Sequence, residues 1–248
     1  MMAEQRTRER GNRSAPKRSS RIHCALVILF DRLSYLVESD LLPAGERLLD
    51  LGCGNKPYES LFRKKFAMYV GADLAGNKEA ELLIDSDGRV TAQDNTFDCV
   101  LSSEVLEHVT SPQLYLSEAR RVLKPGGSLV LSTHGIWPYH PDPTDFWRWT
   151  VEGLQTEIRR AGFEISSVQG VMGLETASLQ LWQDSTFDRL PTFIRRPYAW
   201  FFQTCIHLIE SRRKERLCDD AMIFVILARK TTAEVDNQIS EGKMKLGV

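Results

Sequence analysis

Residues Leu48 to Asn55 read Leu-Leu-Asp-Leu-Gly-Cys-Gly-Asn. An apolar run carries an acid at Asp50, and Gly52 and Gly54 follow on either side of Cys53. A buried strand passes in this way into a tight turn whose bare backbone lies against a ligand. About 20 residues further on, the spacing of one βαβ step, a second apolar run ends in Asp73 and Leu74. Chemistry-bearing residues gather again between Thr133 and Thr150, a stretch with three of the five tryptophans. It offers His134 and His140 as bases, Asp142 and Asp145 as acids or hydroxyl acceptors, and Arg148 as an anion partner. Trp137, Tyr139, Phe146, Trp147 and Trp149 supply stacking walls for a substrate. Three prolines favour a fixed loop, which equally fits a packed cap with satisfied polar groups.

The elements that must position these residues alternate along the chain. Periodicity predicts strands at Arg47–Leu51, Tyr69–Asp73, Glu81–Ile84, Phe97–Ser102, Ser128–Ser132, Phe163–Val168 and Met222–Ala228. Helices are predicted at Ile22–Leu42, Tyr58–Lys65, Glu104–Val109, Pro112–Val122 and Val151–Ala161. Lys124-Pro-Gly-Gly127 reads as a turn before the fifth strand. This alternation gives an α/β fold, a mainly parallel sheet with helices on both faces. Right-handed crossovers then place the strand C-termini, and any ligand, along one sheet edge. The stretch from Val171 to Asp220 is too long for a plain loop and is expected to contain helices.

Three kinds of ligand compete for the glycine turn. NAD and FAD sites want Gly-x-Gly-x-x-Gly, and here the sixth position is Pro57. A Walker loop is excluded because no Gly-Lys-Ser/Thr follows. S-adenosylmethionine fits better, with its ammonium, carboxylate, sulfonium and ribose diol. Asp50 can help hold the cationic methionine end, the turn amides can face the carboxylate, and Asp73 can accept from both ribose hydroxyls.

With these residues in place the chain resembles the class I S-adenosylmethionine-dependent methyltransferases. The likeness runs through Leu48–Gly54, Asp73, Phe97-Asp-Cys-Val100, Glu104-Val-Leu-Glu-His-Val109 and Arg121-Val-Leu-Lys-Pro-Gly-Gly127. Phe146-Trp-Arg-Trp-Thr150 is similar to a segment of the methyltransferase type 11 group. The resemblance implies a Rossmann-like, seven-stranded, mostly parallel sheet whose last strand is antiparallel. It implies cofactor contacts from Asp50, Gly52, Cys53, Gly54, Asp73 and Leu74. It also implies an adenine contact from Asp85 or Asp87, and a methionine-side lining from Ser102, Ser103 and Glu104. The Asp-Ser-Asp-Gly run around Asp85 is equally ordinary turn chemistry. Glu107 and His108 read as structural or solvent-facing as readily as catalytic. Cys53 reads as a small filler rather than a nucleophile.

Methyl transfer from a sulfonium is an in-line displacement, so the protein must align an acceptor and, for a hydroxyl, remove a proton. Expected acceptors are an oxygen or nitrogen on a small molecule, a sugar or a lipid-linked compound. The segment after the fourth strand, Ser102-Ser-Glu-Val105, lacks the Asn/Asp-Pro-Pro-Tyr pattern of amino-methylating DNA enzymes, and no cysteine follows a proline. The rival reading is a non-catalytic module that binds S-adenosylmethionine or S-adenosylhomocysteine as a sensor or partner subunit.

Composition sets the remaining bounds. With 248 residues, 42% hydrophobic and 26% charged, the chain suits one α/β domain with a sizeable core. A formal net charge of -1 gives no global pull toward nucleic acid, and none is expected as a partner. The five cysteines form no Cys-x-x-Cys pair and no Cys/His metal spacing, so no metal is expected and reduced thiols in a cytoplasm are. The expected organisation is a disordered basic tail over 1–21, a methyltransferase domain over 22–230 and a flexible tail over 231–248. The apolar run Ala25–Phe30 is too short for a signal-peptide core. Within the insert 171–220, the segment 194–214 is apolar and aromatic with flanking cations. It reads as an in-plane contact with the inner face of a membrane, as a lid, or as a dimer face.

Overall fold

Successive residues of the central strands bury alternately on two faces. Leu48 and Leu49 of β1 (Gly45–Leu51) lie in separate hydrophobic clusters and are both fully buried. Cys99 and Leu101 of β4 (Phe97–Ser103) share the cluster of Leu48, and Val100 shares that of Leu49. Strands apolar on both faces need helices on both. The computed structural model supplies them, and it describes residues 16–18, 20–85, 88–213 and 219–231.

With β2 (Phe66–Leu74), β3 (Leu82–Ile84), β5 (Leu123–His134), β6 (Phe163–Val171) and β7 (Ile223–Lys230), the strands form one seven-stranded sheet. Their order is β3-β2-β1-β4-β5-β7-β6. The first five strands pair in parallel, and β7 runs antiparallel to both β5 and β6. On one face pack α1 (His23–Glu38), α2 (Glu59–Phe62) and two insert helices, α5 (Leu174–Phe187) and α6 (Thr192–Glu210). On the other pack α3 (Pro112–Val122) and α4 (Val151–Arg160). The predicted Rossmann-like fold is therefore present.

Two local expectations are corrected. The helix predicted over Glu104–Val109 is only a 3-10 turn at Leu106–His108. Glu104 enters it with a φ of 56°, and the Glu107 carbonyl, which a continuing helix would use, accepts from Phe146 N and Trp147 N instead. The turn predicted at Lys124–Gly127 lies within β5 as a bulge, where the pairing passes from Phe97↔Leu123 to Cys99↔Ser128. Asp87, Lys214, Cys218, the basic residues up to Arg13 and the tail beyond Thr231 lie outside the described residues.

The insert is joined to the first helix by buried amides. No side chain caps α1 at Ile22. Instead Gln203 of α6 accepts from Cys24 N at 2.8 Å, satisfying one of the amide groups that a helix start leaves open. The Nε2 groups of Gln180, Gln183 and Gln203 all donate to the Arg21 carbonyl, at 2.8, 2.7 and 2.8 Å. Replacing Gln203 with leucine leaves the Cys24 amide without its buried acceptor. We expect Gln203→Leu to lower stability by roughly 1–3 kcal/mol in chemical denaturation. An unchanged midpoint would show that this latch carries no stability.

Candidate active site

The C-terminal ends of β1, β2 and β4 open into a cleft of about 840 Å³. After Leu51 the chain reverses: Gly52 N and Cys53 N both donate to Ala72 O on β2, at 2.8 and 3.1 Å. Gly52 has a φ of 82°, and a Cβ there would meet Val105 at 2.6 Å. Only glycine satisfies both conditions. Gly54 has a φ of 52° with open space beside it, and its amide donates to Asp73 Oδ2 at 3.0 Å. Asn77 completes this corner, donating to Asp73 Oδ2 at 2.6 Å and to Gly54 O at 2.7 Å.

Of the residues expected to hold a cofactor, Asp50, Gly52, Cys53, Gly54, Asp73, Leu74, Asp85, Ser103 and Glu104 all line this cleft. Ser102 does not. It is fully buried, and its hydroxyl pairs with Tyr115 at 2.8 Å beneath the cleft floor. Asp85 spends one carboxylate oxygen on its own turn, accepting from Arg89 N at 2.9 Å. Cys53 is a neutral thiol: burial, with Asp50 and Asp73 nearby, pushes it up to about 12.

Asp50 is buried and accepts from the Tyr69 hydroxyl at 2.6 Å. Burial raises its pKa to about 7, against the opposing Tyr69 hydrogen bond and the charge of Lys56, and with reinforcement from Asp73 and Glu59. Lys56 is itself engaged by Glu81, whose other oxygen accepts from Gly71 N at 2.6 Å. A cation placed beside Asp50 would complete the missing charge balance. Tyr69, Asn77 and Val105 were not legible as site residues; Asn77, four places after Asp73 in a turn, carried the only signal.

The far wall of the cleft leads to the loop after β5. Glu104 lines the cleft, and its Oε2 lies 2.5 Å from His134 Nε2. On the other side of that ring, Nδ1 lies 2.9 Å from Glu107 Oε1. Trp137 stacks on the ring at 4.5 Å, and the His140 ring meets it edge-on at 4.6 Å. Burial opposes charge on His134, but Glu104 and Glu107 outweigh it and hold the imidazole above its ordinary range. His134 is buried between two carboxylates and does not line the cleft. His140 is neutral, because burial and the adjacent His134 charge bring it down to about 4.

Arg148 and Asp145 are committed to the loop. Arg148 Nε donates to Trp137 O, and its two terminal nitrogens donate to Asp145 Oδ1, Trp147 O, Pro138 O and Asp145 Oδ2. All five guanidinium hydrogens are used, which removes Arg148 as an anion partner. Burial acts against charge on Asp145, but Arg148 and the His140 amide hold it well below the usual carboxylate range. Asp145 is therefore a fixed acceptor. Asp142 lines the cleft, whereas Trp137, Tyr139, Trp147 and Arg148 do not. Trp147 donates to Val109 O at 2.8 Å, and Tyr139 is 76% exposed.

A sheet of this order, with a glycine turn after β1 and an acid ending β2, defines the class I S-adenosylmethionine-dependent methyltransferase architecture. The family model described as a methyltransferase domain matches residues 22–168, and the chain belongs to that family. It is 37% identical over 127 residues to a ubiquinone biosynthesis O-methyltransferase of Cereibacter sphaeroides, covering 44% of this chain and 51% of that one. It is 38% identical over 158 residues to the protein of that name from Dinoroseobacter shibae, covering 52% and 64%. The chain spans about half the length of the first of these relatives. Among solved structures, the [4+2]-cyclase SpnF superposes with a TM-score of 0.53 at 24% identity, over 82% of each chain. That likeness shows the fold, and a cyclase on it illustrates that fold alone does not set the reaction.

Two outcomes follow from the donor end of the cleft. Asp73→Ala should weaken S-adenosylhomocysteine binding by roughly 1–3 kcal/mol in calorimetry, since the carboxylate's hydrogen bonds to the ligand are lost. Unchanged affinity in the folded variant would remove Asp73 from the site. An ammonium binds the ionised form of Asp50, and that form is lost as pH falls through about 7. Affinity should therefore fall by roughly tenfold per unit below that point, and Asp50→Asn should flatten the profile. A wild-type profile already flat between pH 5.5 and 8 would contradict the assignment.

Proposed function

We propose that the protein is an S-adenosylmethionine-dependent methyltransferase whose acceptor atom is an oxygen on a small-molecule, sugar or lipid-linked compound. One observation carries this reading. A single cleft has the glycine turn, Asp50 and Asp73 at one end and Glu104, backed by the buried His134 cluster, at the other. The cofactor's ribose lies on Asp73, its adenine beside Leu74 and Asp85, and its ammonium near Asp50. This directs the sulfonium methyl toward Ser103 and Glu104. An acceptor lone pair forms the new bond to carbon as the carbon–sulfur bond breaks, and that electron pair returns to sulfur. The names of the curated relatives favour oxygen over nitrogen.

His140 is the member of the cluster that meets the acceptor. It is half-buried, neutral, and 5.0 Å ring-to-ring from His108, which lines the cleft. Its replacement should lower kcat at least tenfold while leaving S-adenosylhomocysteine affinity within twofold. Full single-turnover rates in His140→Ala would remove it from the chemistry. The reaction itself is tested with methyl-labelled S-adenosylmethionine against a panel of phenols, sugars, polyprenylated phenols and amines. Label in hydroxylated acceptors supports the proposal. Label confined to amines overturns the oxygen assignment, and cofactor binding with no transfer to any acceptor favours the sensor reading.

The insert supplies a surface for a lipid-linked acceptor. Phe193, Trp200, Phe201 and Leu208 recur along one side of α6 and are exposed, Phe193 at 80%. Exposed Arg196 and Arg212 flank them. An in-plane helix with this makeup buries its apolar side in an anionic bilayer surface. No helix among the described residues is long and apolar enough to cross a membrane. The full chain should float with phosphatidylglycerol vesicles, and Trp200→Ser with Phe201→Ser should abolish flotation. Equal behaviour of the two forms would end the membrane reading.

A further inference from the structure

Three of the chain's five histidines converge beside the cleft although they are far apart in sequence. Glu107, His134 and His140 each place one ligand-type atom within 4.8 Å of the others. Two of these groups are almost completely buried, Glu107 at 0% and His134 at 4% exposure. Glu107 Oε1 and His134 Nδ1 are 2.9 Å apart, yet neither makes a directed hydrogen bond. Buried polar atoms are almost always paired, so two facing one another off-axis need a common partner. A cation reaching both atoms would satisfy them, with a small separation of the two groups.

The surrounding contacts form the outer shell such an ion requires. Glu107 Oε2, the oxygen turned away, accepts from Thr133 Oγ1 at 2.8 Å. His134 Nε2, on the far side of the ring, meets the Glu104 carboxylate at 2.5 Å. A metal-bound imidazole is regularly oriented by a carboxylate on its other nitrogen. His108 Nε2 stands 3.8 Å from Glu107 Oε1, on the cleft side. A second grouping, His108, His140 and Asp145, also has ligand spacing. It is less suited, because Arg148 already neutralises Asp145 through two 2.6 Å hydrogen bonds.

We propose that Glu107, His134 and His140 bind one divalent transition ion of the zinc class. Two imidazoles and one carboxylate suit such an ion and suit magnesium or calcium poorly. Three protein ligands leave a fourth position for an oxygen ligand. If the methyltransferase reading holds, that ligand is the acceptor oxygen, held beside the methyl donor; ion binding itself does not rest on that reading.

The test uses the full chain stripped with a chelator and then titrated with Zn2+ in competition with a chromogenic chelator, without cofactor. One equivalent should bind, and His140→Ala and Glu107→Gln should each weaken it at least tenfold. His207→Ala, remote from the cluster, should bind as wild type does. Co2+ should give visible absorption of a four-coordinate nitrogen and oxygen site in wild type, absent from His140→Ala. His140 is partly exposed, so its variant keeps the test usable should Glu107→Gln fail to fold. Equal Zn2+ affinity in wild type and His140→Ala, or saturation by Mg2+ but not Zn2+, would overturn the proposal. S-adenosylhomocysteine calorimetry on the same samples separates failure of the donor site from failure of the ion site.

Discussion

The site depends on one backbone reversal at the end of β1. Leu51 is buried in the core, and the next residue must turn with a positive φ directly under Val105. A side chain at Gly52 would face both a strained backbone and a 2.6 Å contact. Because the turn is forced, Gly54 arrives where its amide can donate to Asp73, 19 residues later and one strand away. Asp73 thereby ties the glycine turn to β2 and keeps a carboxylate at the cleft edge. Val105, which closes over the turn, immediately follows Glu104. The donor end and the acceptor end are thus joined through one packed contact.

Charge divides the cleft into two regimes. At the donor end, Asp50 is buried with a hydroxyl partner and an already engaged lysine, and its ionised form lacks a cation. At the other end, the carboxylates of Glu104 and Glu107 enclose His134. Arg148 and Asp145, which read as substrate-binding and acid–base residues, instead fix the loop that carries His140. A bidentate ion pair whose every guanidinium donor is used makes that loop a rigid part of the wall.

The donor end was legible in the sequence because its residues sit in strand-turn patterns with short spacings. Asp50, Gly52, Gly54 and Asp73 are set by one βαβ step, and the mainly parallel sheet with helices on both faces follows from the alternation of elements. The acceptor end was legible only as composition. His134 and His140 stood out as bases, but His134 is governed by burial against Glu104 and Glu107, which follow β4, and His140 by burial and by His134. Sequence alone could not show that Glu107 points inward, because the helix expected there is replaced by a 3-10 turn whose carbonyl is taken by Phe146 and Trp147. Arg148 misled for a related reason: beside Asp145, its partners are three backbone carbonyls of its own loop, which leave no mark in residue type.

The most direct test of the account is a crystal structure of the full chain with S-adenosylhomocysteine. It should show both ribose hydroxyls on the Asp73 carboxylate, the homocysteine ammonium near Asp50, and the sulfur turned toward Ser103 and Glu104. A ligand bound with its ribose away from Asp73, or outside the cleft, would contradict the central claim.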